Sequence, residues 1–483
     1  MQPINLFGTG LNADSSVLAS ETRLNCYYEM RQSDTGTTIA VRGSPGSWQI
    51  QTGVIGGSIN GLWAVNDVLY ITAVGGFYST DLDGNTVFLA PGQWGYPYTD
   101  FADNDFQIMF GPDSNGFYYI FTIATGVLTQ ITDVNFPPNQ ATPQYVHSLT
   151  YMSGRFIVSV ADSRQAYCSA ALDGLNWTYL GLPMFFTKEQ ASDALYAVSA
   201  YSGVLTLFGK DTVEFWQDAG LSPVPFQYIT GTAQSYGMHS RYSINHVNGS
   251  TYFLGHGGQG GWSVYAINGY TIKKVSTTDI DDILADWYSK GASFSFTHGI
   301  VYNAHGHDFY MLNDLGNGTL TLDTATGIWS TSSSINSPTA GHMAVSCTLF
   351  KGVTVWRGDD AYLYVFDQNT NTDNSGRITR QVTTKHIRSG GNEFSITELM
   401  LQMDIGSIPL TQDYHITLEV SRDGGRTFGS PRPRTLGLTG QYRDPQVKWQ
   451  RLGSARDFVL RFTMTDNIPF VIASAEIETS VNQ

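Results

Sequence analysis

The sequence predicts an all-β protein with a β-propeller-like body of about six or seven blades, followed by a C-terminal β-sandwich. Two observations predict the body: a hairpin unit recurs along the chain, and its spacing is regular. In each unit an apolar, alternating run reaches a two-residue polar turn, and a second apolar run follows. The seven units start 38 to 56 residues apart, and four-stranded propeller blades recur about every 40–50 residues. A large all-β assembly of hairpins that does not close into a propeller is the alternative.

The turns between the paired runs carry residues that tolerate a left-handed backbone. A two-residue hairpin turn needs positive φ at its centre, which Gly, Asn and Asp accept most readily. The unit at residues 198–208, with its Ser-Gly turn, shows the pattern most clearly. The seven turns are predicted at Asn66-Asp67, Asn104-Asp105, Ser153-Gly154, Ser202-Gly203, Asn248-Gly249, His305-Gly306 and Lys351-Gly352.

Composition excludes several other classes of protein. The 483 residues include 51 Gly, 13% aromatic and only 14% charged residues, which favours a tightly turned, strand-rich protein over a helical bundle or a disordered chain. Cys26, Cys168 and Cys347 lie far apart with no CxxC pair, so we expect neither a disulfide framework nor a zinc knuckle. We also expect no secretory signal and no membrane insertion, because no basic apolar leader and no run of about 18–20 apolar residues is present.

The net charge of −15 is distributed unevenly. Residues 376–483 carry a net charge of +2, and residues 1–375 therefore carry −17. Binding to phosphates requires clustered Lys and Arg, so we do not expect the acidic body to bind nucleic acid non-specifically. The charge distribution is compatible with DNA that passes close to the body without adhering to it.

We divide the chain into three regions. Residues 1–60 are rich in turns and predicted to be poor in strands, and we expect an N-terminal arm with the first strands that wraps onto the body or a neighbour. Residues 61–375 are the propeller-like body, which ends in a polar linker. Residues 376–483 are predicted to form a separate β-sandwich of ordinary size. Its longer strands are predicted at residues 395–403, 415–420, 448–453, 458–463 and 470–478.

One helix is predicted, at residues 279–288. Its start follows a Ser/Thr cap, and Ile280, Ile283, Leu284 and Trp287 are spaced to bury one face. The aspartates in this segment lie on the other face and are predicted to be solvated; a cation site is the alternative that they raise.

Residues 421–428, SRDGGRTF, resemble the Asp box of sialidases, which is SxDxGxT followed by an aromatic residue. We interpret this motif as a folding device in which Asp423 accepts hydrogen bonds from the main chain of a tight turn. A sialidase also requires three arginines that bind a carboxylate and a Tyr–Glu nucleophile pair, and the few arginines of residues 1–375 stand in no such setting. A glycan-binding or glycan-cleaving propeller is the alternative function.

His305, His307 and Asp308 could offer ligands to zinc or iron, since alternate residues on a strand share one face. The pair of histidines lies at one of the repeated turns, however, and we interpret them as turn residues. The sequence contains no HExxH, GxSxG or GxxxxGK[ST] motif. We therefore predict a protein that is not an enzyme and has no catalytic residues, metal or cofactor.

Several segments carry a family resemblance, most specifically in the C-terminal region: residues 208–216 (FGKDTVEFW), 416–421 (ITLEVS), the turn at 423–424, residues 447–453 (VKWQRLG), and the strands near 458–463 and 472–478. In these segments the chain resembles the tail-hub proteins of short-tailed bacteriophages, variously called nozzle, tail accessory factor or packaged-DNA stabilisation proteins. The resemblance extends over most of the chain and is least in the first 40 residues and the blade loops.

The resemblance implies a structural role in the virion tail. Such proteins form a ring, usually of six copies, below the portal and its adaptor. The ring extends and closes the DNA channel, helps to retain the genome, and anchors a tail needle, spikes or fibres. The resemblance also implies synthesis in the host bacterial cytoplasm. A receptor-binding fibre is a third class, but fibres carry long repetitive stretches that this sequence lacks.

The C-terminal region is predicted to carry a docking surface, because arginine is enriched at protein interfaces. The candidate residues of this surface are Arg422, Arg426, Arg432, Arg434 and Arg443.

Overall fold

A computed structural model describes residues 2–11, 20–33, 36–53, 55, 57–94, 98–258, 260–334, 341–404, 413–436 and 446–481. The all-β fold class is confirmed. The chain begins with five strands that belong to sheets completed much later in the sequence. They are β1 (Gln2–Pro3), β2 (Thr22–Leu24), β3 (Cys26–Ser33), β4 (Gly36–Gly43) and β5 (Gly46–Gln49).

Seven antiparallel sheets then follow one another as the blades of a propeller. Blade 1 contains β6 (Ile59–Val65), β7 (Val68–Thr80) and β8 (Val87–Gln93). Blade 2 contains β9 (Asp100–Asp103), β10 (Gln107–Gly111), β11 (Tyr119–Thr122) and β12 (Val127–Gln130). Blade 3 contains β13 (Val146–Met152), β14 (Arg155–Val160), β15 (Gln165–Cys168), a small hairpin of β16 (Thr178–Tyr179) and β17 (Leu182–Pro183), and β18 (Phe185–Thr187).

The second half of the propeller has the same plan. Blade 4 contains β19 (Leu195–Tyr201), β20 (Val204–Gly209), β21 (Val213–Asp218) and β22 (Phe226–Tyr228). Blade 5 contains β23 (Tyr236–Met238), β24 (Asn245–Val247), β25 (Ser250–Gly257), β26 (Trp262–Asn268) and β27 (Thr271–Lys274), and helix α1 (Thr278–Ser289) follows it. Blade 6 contains β28 (His298–Ala304), β29 (His307–Asp314), β30 (Gly318–Asp323) and β31 (Ile328–Thr331). Blade 7 contains β32 (Ala344–Phe350), β33 (Val353–Gly358) and β34 (Leu363–Asp367) and takes β5 as its outer strand.

The C-terminal strands form two facing sheets. After the short strands β35 (Thr372–Asp373) and β36 (Gly376–Arg377) come β37 (Arg380–Thr383), β38 (Ile387–Arg388), β39 (Phe394–Met403), β40 (His415–Ser421), β41 (Arg432–Thr435), β42 (Gln446–Ala455), β43 (Asp457–Met464) and β44 (Val471–Val481). One sheet has the order β3-β4-β44-β39-β42, and the other has the order β2-β37-β43-β40-β41. The five predicted sandwich strands each lie within or overlap one of these strands.

The propeller closes through apolar cores that lie between neighbouring blades. Each of seven buried clusters joins two consecutive blades, and the cluster that contains Leu69 and Val355 joins blade 1 to blade 7. The eighth cluster is the sandwich core, where Trp449 and Phe462 pack with Tyr28 from strand β3. Since a sheet with one apolar face must bury it against another layer, each blade depends on both of its neighbours.

The predicted turns explain how each blade starts. Six of the seven turns have positive φ at both central residues, from 49° at Lys351 to 82° at Gly306, as a type I′ turn requires. At the remaining turn Asp105 has a φ of 66°, and Asn104 accepts hydrogen bonds from the main-chain N–H groups of Phe106 and Gln107 at 3.0 and 2.6 Å.

Strand β7 of blade 1 bends back on itself. The rings of Tyr70 and Phe77 stack 5.7 Å apart, although seven residues of extended chain would separate them by about 23 Å. The first half of β7 pairs with β6 and the second half, which begins near Gly75 at a φ of 104°, pairs with β8. Blade 1 therefore has four strand segments, like its neighbours.

The predicted helix is observed as α1, with Ile280, Leu284 and Trp287 buried. We predicted that its acidic residues are solvated, but two of them accept hydrogen bonds from other parts of the chain. Asp279 accepts a hydrogen bond from the main-chain N–H of Leu11 at 3.1 Å, and Asp281 accepts one from the Ser276 hydroxyl at 2.6 Å. These carboxylates fasten the N-terminal segment and the end of blade 5 to the helix.

The expectation that residues 1–60 are poor in strands is wrong. Strands β3 and β4 pair over eight residues, β4 also pairs with β44, and β5 pairs with β34. The β3–β4 hairpin is local, but the strands that complete the sheets of this region are hundreds of residues away. The limits of the three predicted regions remain predictions.

Strand β2 makes blade 6 and the sandwich one continuous sheet. It pairs in parallel with β31 and antiparallel with β37. The side chain of Arg23, at the centre of β2, is fully buried. Its Nε and Nη2 donate to the carbonyl oxygen of Trp329 at 2.9 and 2.7 Å, and Nη1 donates to that of Gly8 at 3.2 Å. The guanidinium thus connects three segments through their main chains.

We expect Arg23→Met to lower the free energy of unfolding by about 2–4 kcal/mol, because methionine fills the volume but leaves buried carbonyl oxygens without donors. Chemical denaturation of the full chain measures this change. The exposed Arg426→Met is the control and should change stability by no more than about 0.5 kcal/mol. A loss below about 1 kcal/mol for Arg23→Met would contradict the role given to the buried guanidinium.

Candidate functional site

The arginines of the predicted docking surface lie along one edge of the sandwich. Strand β41 is the last strand of one sheet and β42 is the last strand of the other. Arg422 donates to the carbonyl oxygen of Leu452 at 2.8 Å, Arg432 to that of Arg451 at 3.3 Å, and Arg434 to that of Lys448 at 3.1 Å. All three acceptors are in β42, so these arginines join the open edges of the two sheets.

The same edge carries the Asp-box segment. Asp423 accepts hydrogen bonds from the main-chain N–H groups of Arg426 and Thr427 at 3.1 and 2.9 Å and from the Thr427 hydroxyl at 2.6 Å. The Thr427 hydroxyl and N–H, followed by the Ser421 hydroxyl, lower the pKa of Asp423 to about 2. The carboxylate is used within the turn, as the interpretation of the motif as a folding device predicts.

Arg426 differs from the other arginines of this edge. Within the described residues only its main-chain N–H takes part in the turn, and its side chain is exposed. Arg443, the fifth predicted docking residue, lies outside the described residues.

The first strands of the blades line a cavity on the propeller axis, with a volume of about 460 Å³. Each of the seven blades contributes at least one residue to its wall. They include Trp63, Asp103, Thr150, Ser199, His246, His298 and Ser346.

Polar groups in this wall bond to one another across blade boundaries. The indole N–H of Trp63 donates to Asp103 at 2.7 Å, and the Ser199 hydroxyl lies 3.1 Å from Nε2 of His246. The main-chain N–H of Ala200 donates to the Thr150 hydroxyl at 3.1 Å. These bonds join neighbouring blades at the axis, whereas the buried hydroxyls of Thr99 and Ser346 in the same wall have no hydrogen-bond partner among the described residues.

One end of the axis is closed by residues from blades that are not neighbours. Nη1 of Arg241, just before β24 in blade 5, lies 3.0 Å from Oδ2 of Asp100 in blade 2. Tyr98 packs against Tyr242 and His298, with ring centroids 4.8 and 4.7 Å apart. Burial opposes the charge of Arg241, but Asp100 and Tyr242 outweigh it and raise the pKa of Arg241 above its ordinary value. Burial raises the pKa of Asp100, and Arg241 opposes this shift. The two side chains meet across the propeller axis.

Sequence reasoning did not identify this closure. The segment that contains Tyr98 is unusually aromatic, which is a local signal, but nothing in the sequence pairs Asp100 with a residue 141 positions away. The distance between the two positions along the chain hides the contact.

The histidines considered as metal ligands have separate roles. His305 occupies the left-handed position of its turn with a φ of 52°, as predicted, and Nδ1 of His307 lies 2.8 Å from Oδ2 of Asp323. Across the part of the chain that the structure describes, no three His, Cys, Asp or Glu side chains come together as a metal site. No helix among the same residues is both long enough and apolar enough to cross a membrane.

We expect acid to destabilise the propeller through His298, whose burial, followed by the charge of Arg357, lowers its pKa to about 3. In the unfolded chain histidine titrates near 6.5. The unfolded state therefore binds more protons between about pH 6.5 and pH 3, and the free energy of unfolding falls as pH decreases through this range.

Denaturant titrations of the wild type from neutral pH to pH 4 should show the free energy of unfolding falling with pH. In His298→Asn this dependence on pH should be weaker, by the equivalent of up to one bound proton, and the free energy of unfolding at neutral pH should be lower. His415→Asn is the control, because His415 is exposed. An unchanged slope in His298→Asn would contradict the prediction.

Among solved structures, the chain is similar to the computationally designed protein Ika8, with 11% identity and a TM-score of 0.37 over 76% of this chain and 99% of that one. It is also similar to a chain of the mitotic checkpoint complex, with 13% identity and a TM-score of 0.41 over 67% of this chain and 94% of that one. No curated protein matches the sequence.

Two family models match the chain in the order in which the two folds occur. The model described as "Bacteriophage P22 Gp10, beta-propeller" matches residues 3–371, and the model described as "Bacteriophage P22 Gp10, beta-sandwich" matches residues 379–480. These matches confirm both the fold class and the resemblance found in the sequence. The chain belongs to the bacteriophage P22 Gp10 family of short-tailed phage tail-hub proteins and is a structural protein of a phage tail.

Proposed function

We propose that copies of this chain form a ring, with six copies as the expected number, below the portal and adaptor of the tail. The ring extends and closes the DNA channel and anchors a needle, spikes or fibres. The observation that carries the proposal is the match of both Gp10 folds over nearly the whole chain. The proposal assigns no catalytic residue, cofactor or metal to the chain, and it places synthesis in the host bacterial cytoplasm.

The closure at one end of the propeller axis supports a channel that lies between copies rather than through one propeller. The axial cavity of about 460 Å³ has the volume of a small-ligand pocket. A DNA duplex is wider than its major groove of about 12 Å, and Arg241 and Asp100 meet across the axis. In the proposed ring the DNA therefore passes along surfaces that several copies provide.

The charge of the chain fits this arrangement. Residues 1–375 carry a net charge of −17, and an acidic wall repels phosphates instead of binding them. Packaged DNA can then move along the channel at low friction, while retention depends on closure of the ring rather than on adhesion to its wall.

The arginine-bearing edge of the sandwich is proposed to dock another tail protein or another copy. Arg422, Arg432 and Arg434 donate to main-chain carbonyl oxygens, which hold their side chains in fixed positions on the surface. A pre-ordered charged surface loses less conformational entropy on binding than a flexible one.

The first test locates the chain in the particle. Immunogold electron microscopy with an antibody against this chain, on particles purified from its native source, should place gold at the tail vertex below the capsid. A pre-immune serum is the control. Label on the capsid shell, or none on intact particles, would contradict the proposed position. Turnover of a fluorogenic glycoside by the purified chain would favour the glycan-cleaving alternative instead.

The second test separates docking from folding. Arg426→Ala should reduce incorporation of the chain into tails about fivefold or more, the loss expected for an interface residue that contributes about 1 kcal/mol, with no change in thermal stability. Arg456→Ala, an exposed arginine elsewhere in the sandwich, is the matched control. Equal incorporation of both variants and the wild type would remove Arg426 from the docking surface.

A further inference from the structure

A hairpin of blade 3 projects with apolar side chains at its tip. Strands β16 and β17 pair through Thr178 with Pro183 and Tyr179 with Leu182. Between them, Leu180 and Gly181 have φ values of 49° and 80°. Such a turn favours Asn, Asp or Gly, and a left-handed backbone costs a leucine about 1–2 kcal/mol. Leu180 bears this cost while its side chain is 86% exposed.

The base of this hairpin is rigid. Trp177 is fully buried and packs on Phe136, with ring centroids 4.8 Å apart. Asp133 accepts hydrogen bonds from the main-chain N–H of Trp177 at 2.7 Å and from the Thr178 hydroxyl at 2.8 Å. The tip is therefore presented in one orientation, which reduces the entropy lost when a partner covers it.

Further exposed apolar residues lie beside the hairpin. Asn135 donates to the Thr178 hydroxyl at 2.7 Å, which brings the adjacent Val134 to the hairpin base. The main-chain N–H of Gly174, two residues after Leu172, donates at 3.2 Å to Gln107 of blade 2, which directly follows Phe106. The blade 2–3 patch consists of Phe106, Val134, Leu172, Tyr179, Leu180 and Leu182, which are 45–86% exposed.

The patch brings six large apolar residues to the surface, each at least 45% exposed. Large exposed apolar patches on soluble proteins mark interaction sites. Elsewhere in the described chain, large exposed apolar residues of the sandwich strands β37–β44 are absent. The patch of exposed apolar residues is therefore on the propeller.

We propose that the blade 2–3 patch binds a second copy of this chain, and that the second copy makes this contact through its sandwich. The inference rests on the proposed ring and names the surface through which it forms. The chain's own sandwich is attached to blade 6 through β2, and strand β4 of the sandwich leads directly into β5, the outer strand of blade 7. Blades 2 and 3 lie across the propeller from that attachment, so the chain's own sandwich leaves the patch uncovered.

Charge favours the same pairing. Asp105 and Asp173 flank the patch within an acidic region of the chain, whereas residues 376–483 carry a net charge of +2. Arginine stems pack on apolar and aromatic surfaces while their charged ends meet carboxylates. A contact between two different sides of the same chain is heterologous and generates a ring when the rotation closes.

The test uses Leu180→Asn, which suits the left-handed turn better than leucine and should leave thermal stability unchanged or higher. Sedimentation velocity of the purified full chain should show reversible self-association in the wild type and an association at least tenfold weaker in Leu180→Asn, the loss expected of an apolar interface anchor. Leu349→Asn is the matched control, because Leu349 is 66% exposed on blade 7. It should associate like the wild type.

A wild type that stays monomeric over about two decades of concentration, or an equal loss in both variants, would overturn the proposal. Hydroxyl-radical footprinting of native tails gives an independent measurement, in which Leu180 should be protected relative to the isolated chain. Cross-links from this patch to a different tail protein instead of a second copy would also overturn it. If gold labelling fails at the tail but Leu180→Asn still dissociates the copies, the proposed position fails and the contact surface stands.

Discussion

The fold depends on the buried guanidinium of Arg23, which fixes strand β2 between blade 6 and the sandwich. Its donors reach the main chain of Trp329 on one side and of Gly8 on the other. A buried charge is costly unless every donor is satisfied, and here carbonyl oxygens satisfy it. The N-terminal segment, the sixth blade and the sandwich are therefore fixed relative to one another by main-chain contacts, which side-chain substitutions elsewhere do not easily disturb.

The propeller is held together by the contacts between its blades, and its axis is closed at one end. Seven apolar cores lie between neighbouring blades, and several polar groups of the axial wall bond across blade boundaries. The ion pair between Arg241 and Asp100 closes one end of the axis.

The two folds of the chain expose surfaces with different residue types. The sandwich places ordered arginines along the meeting edges of its sheets, where they occupy three carbonyl oxygens of β42 that a further strand would otherwise use. The propeller instead exposes apolar residues on a rigid hairpin. In the proposed ring, these two unlike surfaces of neighbouring copies meet in a heterologous contact.

The features that the sequence determined by itself are local. The turn at Ser202-Gly203 requires left-handed backbone, which few residue types tolerate, and the alternation in β39 and β40 requires one buried face. These patterns predicted the blades, the sandwich strands and helix α1 within a few residues. The family resemblance came from the same local segments.

The tertiary structure alone decided which distant segments meet. Arg23 and Trp329 are 306 residues apart, and Arg241 meets Asp100 across 141 residues. Both contacts form only when the blades close into a propeller, and no local pattern encodes a partner at such a distance. The role of Arg422 was hidden for the same reason, because its acceptor belongs to a strand of the opposite sheet. Local backbone preferences act within a few residues. Closure of the propeller and packing of the sheets are determined only when the whole chain has buried its apolar surface.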